Sequence, residues 1–284
     1  MKAFLIITNI TKDPELELTG HIEKYLRSKG ATSKIVIRKV GNVQEDKLKL
    51  DLGERIDYIL VLGGDGTLLK AARDTAGKDI PILGVNLGTL GFLAEVERNH
   101  IDDALDRLIS GEFQTQKRMM LCGRIIHNEE IQNISPALND ITITRCGSLQ
   151  IIRLKIYVNQ QFLCKLSADG MIVATPTGST GYNMSAGGPI VEPGADLIVL
   201  TPICAHTLNA RSIVLKAEDE IAIVIEQGRD GTSLMVEANS DGNEKITMVT
   251  GDKILINKSI NTTTIIKLNQ VSFLETLHKK MSDE

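Results

Sequence analysis

The sequence predicts a two-part chain. A doubly wound, Rossmann-like α/β domain covers 1–117, an all-β sandwich covers 118–261, and a segment over 262–284 returns to the first domain. Two observations carry this prediction. Before Arg118, continuous apolar runs alternate with amphipathic stretches at helical period. After it, short β-rich runs follow one another, separated by turn signals such as GRDG, NSDGN and TGD.

Taken in order, AFLII (3–7) is apolar throughout, as a strand covered on both faces must be. In PELELTGHIEKYLRSKG (14–30), Leu18, Ile22, Tyr25 and Leu26 fall on one helical face, and Gly30 suits the stop. KIVIRKV (34–40), DYILVL (57–62) and IPILGVN (80–86) are further strands. TLLKAARDT (67–75) is the helix between the last two. NHIDDALDRLISG (99–111) is another helix, with Asn99 as its expected cap, aspartates in its first turn and Gly111 at its end. This is the rhythm of βαβ units feeding a mostly parallel sheet.

The second part reads as strands at RLKIYV, QFLCKL, GMIVATP, LIVLTPI, SIVLKA, EIAIVIEQ, TSLMVEA, KITMVT and KILINKS. The tail TTTIIKLNQVSFLETLHKKMSDE (262–284) is mixed, with a helix expected near its end.

Bulk properties narrow the function classes. Of 284 residues, 42% are hydrophobic and 24% charged, and the net charge is −4, a balance that points to neither a nucleic-acid nor a membrane surface. Cys122, Cys146, Cys164 and Cys204 are scattered, with no C-x-x-C and no Cys/His cluster. That argues against a zinc site and a disulfide framework and favours a reducing cytoplasm; no resident metal ligands are expected. The opening apolar stretch ends after Thr8, too short for a membrane span.

Residues 59–69, ILVLGGDGTLL, set an aspartate among three glycines where a strand turns into a helix. Gly63, Gly64 and Gly66 are expected to take left-handed backbone angles and to let a ligand approach closely. A helix starting near Thr67 would aim its free N–H groups at the same space, which favours phosphate. The crevice beyond the strand carboxyl ends is the usual ligand site of such a sheet. Neither G-x-x-x-x-G-K-[ST] nor G-x-G-x-x-G occurs. From the residues alone, Asp65 is as readily a helix cap, Lys70 a solvated helix lysine and Phe92 a core aromatic.

The most distinctive stretch is DGMIVATPTGSTGYNMSAGGPIVEPGAD (169–196). Its hydroxyls at Thr175, Thr177, Ser179, Thr180 and Ser185, with Asn183 and exposed amides, can bind a ribose, an amide and phosphates directionally. Tyr182 offers a face on which a base could stack. His206 and Arg211 stay outside the catalytic set, since a lone histidine between apolar strands is more often structural.

GGDGT (63–67) resembles a signature shared by NAD kinases, diacylglycerol and sphingosine lipid kinases and, more distantly, phosphofructokinases. Together with NLGTLGFLAEV (86–96), LND (138–140) and TPTGSTGYN (175–183), in this order, it closely resembles the NAD kinase family over residues 3 to 275. Gly181 stands where the family usually has alanine, and Asn243 of SDGN where glutamine is commoner. The resemblance implies that Asp65 is the catalytic acid/base, flanked by Gly66. It implies that Lys70 contacts the nucleotide, that Phe92 flanks the adenine in a segment opened by Asn86, and that Asn139 and Asp140 hold ribose and amino groups. Ser167, Asp169, Thr177, Thr180, Gly181, Tyr182, Asn183, Ser185 and Asn243 would complete the dinucleotide pocket. Transfer of a phosphoryl group from ATP to the 2′-hydroxyl of the adenosine ribose of NAD is then expected, with Mg²⁺ arriving on the triphosphate. A homodimer or homotetramer is implied as well. A lipid kinase of the diacylglycerol type is the alternative activity, and a dinucleotide-binding sensor without turnover is the alternative outside enzymes.

Overall fold

A computed structural model of the chain describes residues 1–39, 55–88, 91–147, 150–207, 209–242, 244–268 and 271–282. Its packing divides the chain into two compact units, Met1–Lys117 with Thr263–Glu284, and Arg118–Thr262.

The first unit is built on β1 (Ala3–Asn9), α1 (Glu17–Ser28), β2 (Thr32–Arg38), β3 (Tyr58–Gly63), α2 (Asp65–Asp74), β4 (Ile82–Asn86), the short β5 (Val96–Glu97) and α3 (Ile101–Ser110). The strands run in parallel in the order β2-β1-β3-β4, with β5 beside the end of β4. The chain leaves β1 for β2 on one side and later returns as β3 on the other, so the strand order reverses between β1 and β3. That reversal opens a crevice at their carboxyl ends. Phe4, Ile6, Leu60 and Leu62 from the sheet pack against Leu18, Ile22 and Leu26 of α1 and Leu105 and Leu108 of α3. Each fully buried side chain of this size contributes about 1.5–3 kcal/mol. The Asp13 carboxylate accepts the N–H groups of Leu18 and Thr19 and so holds the start of α1. Gly30 (φ +74°) and Gly111 (φ +84°) take left-handed angles where α1 and α3 end.

The second unit consists of β6 (Gln114–His127), β7 (Glu130–Ala137), β8 (Asp140–Arg145), β9 (Ile152–Val158), β10 (Gln161–Ala168), β11 (Gly170–Ala174), the single helical turn α4 (Tyr182–Ser185), β12 (Leu197–Ile203), β13 (Ile213–Lys216), β14 (Ile221–Ile225), β15 (Met235–Ser240), β16 (Glu244–Val249) and β17 (Lys253–Lys267). One sheet has the order β13-β12-β11-β8-β15-β16; in the other, β10-β9-β14-β17 continues with β6 and β7 paired beyond β17. Side chains of both sheets meet in one apolar core, among them Ile141, Ile143, Val173 and Val236 from the first and Leu154, Ile156, Ile223 and Ile254 from the second. β17 starts in this unit. Its final residues belong to the first unit, where Ile265 pairs in parallel with Ile82 of β4. The chain ends in α5 (Phe273–Ser282), also in the first unit.

The fold class is the expected one, with local corrections. Four strands escaped the pattern: the two-residue β5, and β6, β7 and β8, whose apolar residues are diluted by polar and charged ones in antiparallel ladders. The strand expected at 253–259 runs on through the polar NTTT stretch to Lys267. Asn99 does not cap α3: it lies in a 3₁₀ turn over Arg98–His100, and the helix starts after His100 without a side-chain cap.

Candidate active site

Asp65 stands at the crevice between β1 and β3, as the first residue of α2. The helix therefore begins two residues before the expected Thr67. None of Gly63, Gly64 and Gly66 takes a positive φ, contrary to the left-handed angles expected of them. Gly64 is extended (φ −108°). These glycines serve space instead. A Cβ on Gly63 would stand 2.5 Å from Thr67 Oγ1, so the strand end and the first helical turn can close only around a hydrogen atom. A Cβ on Gly64 or Gly66 would meet nothing within 4 Å, so these positions front open space at the helix start. Asn9, at the end of β1, donates to Thr67 Oγ1 at 3.4 Å and ties the two sides of the crevice together.

Asp65 makes no cap to its own helix. Its carboxylate accepts the N–H of Phe92 at 2.9 Å and of Leu93 at 3.2 Å. Gly91 lies against the same carboxylate: a Cβ there would fall 1.9 Å from Asp65 Oδ1. Two backbone donors thus fix the orientation of the carboxylate while further lone pairs remain for a third partner. Lys70, one turn into α2, is 6% exposed, so the solvated-lysine reading fails. Phe92 is half-buried, its ring 6.2 Å from the Phe273 ring and beneath Lys280 Nζ at 4.6 Å, both on α5. Asn86 Oδ1 accepts the N–H of Gly88 at 3.0 Å and its Nδ2 donates to the Gly88 carbonyl, so it shapes the turn after β4.

In the second unit, Asn139 and Asp140 lead into β8. The Asp241 carboxylate accepts three backbone N–H groups from this turn, those of Leu138 at 2.8 Å, Asn139 at 2.8 Å and Asp140 at 3.1 Å. Asp140 is buried, and its carboxyl pKa is raised to about 7, first by burial and then by the charge of Asp241. Among the described residues, the buried Asn139 Oδ1 has no hydrogen-bond partner. The hydroxyl-rich segment docks on the same turn. Thr175 Oγ1 donates to the Leu138 carbonyl at 2.6 Å and accepts the Gly178 N–H at 3.1 Å, and a Cβ on Gly178 would fall 2.1 Å from the Asn139 carbonyl oxygen. Gly181 is close too, since a Cβ there would approach Asn139 Nδ2 to 3.2 Å.

The predicted pocket residues of this segment divide by exposure. Tyr182 and Ser185 are exposed, and with Thr201, Cys204, Thr207 and Arg211 they line an open recess of about 550 Å³. Thr180 and Gly181 are half-exposed. Thr177 is buried and its Oγ1 accepts from Arg118 at 3.4 Å. Asn183 is fully buried: its amide donates to the carbonyls of Ser179 and Pro189 and accepts the Thr201 hydroxyl, so it braces the loop from inside and offers no polar atom to a ligand. Asp169 pairs with Arg145 at 3.3 Å, and the Ser167 carbonyl accepts the His206 N–H. Asn243 lies outside the described residues.

The family model of the ATP-NAD kinase N-terminal domain matches residues 22–113, and that of the ATP-NAD kinase C-terminal domain matches 138–268. The NAD kinase of Agathobacter rectalis is 46% identical over 284 residues, covering 100% of this chain and 99% of its own. The chain belongs to the NAD kinase family. The Lachnospira eligens NAD kinase is 42% identical, covering 99% of this chain and 100% of its own. Two solved structures share the NAD kinase fold at 23% identity. Yeast NADH kinase complexed with NADH has a TM-score of 0.86 and covers 100% of this chain and 88% of its own. An Archaeoglobus fulgidus NAD kinase in complex with ATP has a TM-score of 0.76 and covers 100% of both.

Gly91 and Asp241 have geometric roles in this NAD kinase chain that the sequence reading does not assign, and Thr175, expected as a ligand-binding hydroxyl, is fully buried and bonded inward instead. Gly91 gives Asp65 its room, Thr175 joins the hydroxyl-rich loop to the 138–140 turn, and Asp241 holds that turn. Gly91 and Asp241 sit inside motifs that were quoted, LGFL and SDGN, but nothing in those letters says what a glycine clears or what a carboxylate accepts.

Proposed function

We propose that the chain transfers the γ-phosphoryl group of ATP to the 2′-hydroxyl of the adenosine ribose of NAD, giving NADP. The observation that carries the reading is Asp65, a carboxylate oriented by two backbone amides at the start of a helix with open space at Gly64 and Gly66. A helix start with exposed glycine amides suits phosphate, and a fixed carboxylate suits an alcohol nucleophile.

Asp65 accepts a hydrogen bond from the 2′-hydroxyl, orients it and takes its proton late. Phosphoryl transfer passes through a loose transition state that demands little early proton removal, so such a group is worth about 10²–10⁴ in rate. The amides of Gly64 and Gly66 donate to phosphate oxygens. Phe92 flanks the adenine, and Lys70 supports the nucleotide from the first turns of α2. Asn139, with its unpartnered Oδ1, accepts an amino or hydroxyl donor, and Asp140 holds ribose hydroxyls. Tyr182 and Ser185 line the recess assigned to the dinucleotide, Thr180, Gly181 and Asp169 are assigned to the same pocket on the family resemblance, and Thr177 and Asn183 keep that loop in shape. Ser167 and Asn243 are assigned to the same pocket on the family resemblance alone.

Mg²⁺ belongs to the substrate here. It binds triphosphate oxygens and keeps much of its water, and it neutralises charge that no Walker lysine meets in this sequence. Four thiols, none in a disulfide, support a cytoplasmic location. Homo-oligomerisation is supported by the terminal strands β10 and β13, which carry the exposed Phe162 (55%) and Val214 (53%).

The test is direct. Purified protein is incubated with γ-labelled ATP and Mg²⁺, once with NAD and once with a diacylglycerol. Label in NADP supports the proposal, whereas label in phosphatidic acid moves the assignment to the lipid kinases. NAD binding with no labelled product under any donor or metal would make the protein a sensor.

A further inference from the structure

We propose that Asp241 is a positioning residue of the dinucleotide subsite, which fixes the Asn139–Asp140 turn through its backbone and sets a second buried carboxylate, that of Asp140, beside its own. The inference rests on the reading that Asn139 and Asp140 contact NAD.

Both parts follow from one buried carboxylate. Asp241 is 8% exposed and accepts the N–H groups of Leu138, Asn139 and Asp140. Three such donors stabilise the ionised form strongly. Its own N–H donates to the Asp140 carbonyl at 3.1 Å, so the two residues are joined in both directions. The turn between β15 and β16 is thereby latched to the turn before β8, and the latched turn carries Thr175 and Gly178.

The same closeness sets a charge problem. Asp140 is 6% exposed, and the carboxylate beside it is already committed to its three amides. Two buried carboxylates side by side do not both ionise readily, and the better solvated one keeps its charge. Asp140 therefore carries the proton. Among the described residues, Glu237 pairs with Lys245 at 3.5 Å and Arg145 with Asp169 at 3.3 Å, and Arg118 donates to Thr177 at 3.4 Å. Protonated, Asp140 has one oxygen fewer to accept from ribose hydroxyls. Deprotonated, it accepts at both, and NAD binds more tightly.

The test is the pH dependence of the NAD dissociation constant, measured calorimetrically on the full chain between pH 5.5 and 8.5. Wild-type protein is expected to bind about tenfold more weakly at the acid end, with the midpoint near neutrality. Asp140→Asn is expected to bind with no such dependence. In Asp241→Asn the midpoint moves to lower pH, because the like charge is gone, while the loosened turn weakens binding by about tenfold at every pH. The effect falls on NAD affinity and KM, with kcat at saturating NAD little changed.

Unaltered affinity in Asp140→Asn with a flat wild-type profile would overturn the inference together with the NAD-contact reading. A clear wild-type midpoint that vanishes in Asp140→Asn but does not move in Asp241→Asn would overturn the role of Asp241 alone. Should Asp241→Asn fail to fold, a wild-type profile flat across this range is sufficient by itself to reject the proposal.

Discussion

The backbone N–H of Phe92 donates to the Asp65 carboxylate at 2.9 Å, and the ring of that same phenylalanine lies beneath Lys280 of the C-terminal helix. The carboxylate at the mouth of β3 is thus aimed by the turn after β4, and this turn is in turn covered by the chain's last helix. A residue called catalytic on a glycine-rich motif acquires a direction only from residues twenty-six and more positions away.

Gly91→Ala is expected to abolish most turnover without unfolding the protein. A methyl there would fall 1.9 Å from Asp65 Oδ1, so either the carboxylate or the 91–93 turn must move. A misplacement of about 1 Å costs on the order of 10²-fold in rate. Steady-state kinetics beside a thermal melt checks it; an active variant with an ordinary Tm would mean that the aim of the carboxylate is unimportant.

Thr175→Val removes the hydroxyl that links Leu138 to Gly178. It leaves a buried carbonyl and a buried N–H without that partner, at about 1–3 kcal/mol. Denaturant unfolding should show the loss, and the KM for NAD should rise more than kcat falls.

Arg38→Met should separate stability from activity. The guanidinium forms an ion pair with Asp74, the two side chains being 7% and 14% exposed. Removing it leaves a largely buried carboxylate that retains, among the described residues, Arg73 at 3.4 Å, and costs about 3 kcal/mol. The melting temperature is expected to fall by several degrees while kcat in the cold is kept. A fall in kcat with no change in Tm would place Arg38 in the chemistry.

Asp140 gives a pH prediction for stability. Burial, and then Asp241, raise its carboxyl from the ordinary 3.8 to about 7. The folded chain therefore holds a proton that the unfolded chain has released, and stability falls as pH rises between those values. Below about 4 the cost is absent, and above about 7 it is complete. Asp140→Asn removes it, so the Tm gained over wild type should be least near pH 4 and greatest above pH 7. A difference that does not vary with pH would clear Asp140 of the proton.

The alternation of apolar runs and helical faces made the α/β part legible, because strands buried on both sides leave little choice of residue. Leu18, Ile22 and Leu26 were readable as a helix face for the same reason. β6 to β8 were not, since strands such as QTQKRMMLCGRIIH owe their state to partners far along the chain rather than to their own pattern. In the site, Asp65 and Asn139 announce themselves by motif, but the burial of Lys70 and the inward turn of Asn183 do not. Burial of a polar side chain depends on which distant carbonyls, such as those of Ser179 and Pro189, arrive to satisfy it.

The account stands most directly on the rate of NADP formation by Asp65→Asn, measured at saturating NAD and ATP beside the wild type, with NAD affinity measured in parallel. The expected result is a loss of about 10²–10⁴ in kcat with NAD affinity unchanged. Turnover equal to the wild type would contradict it.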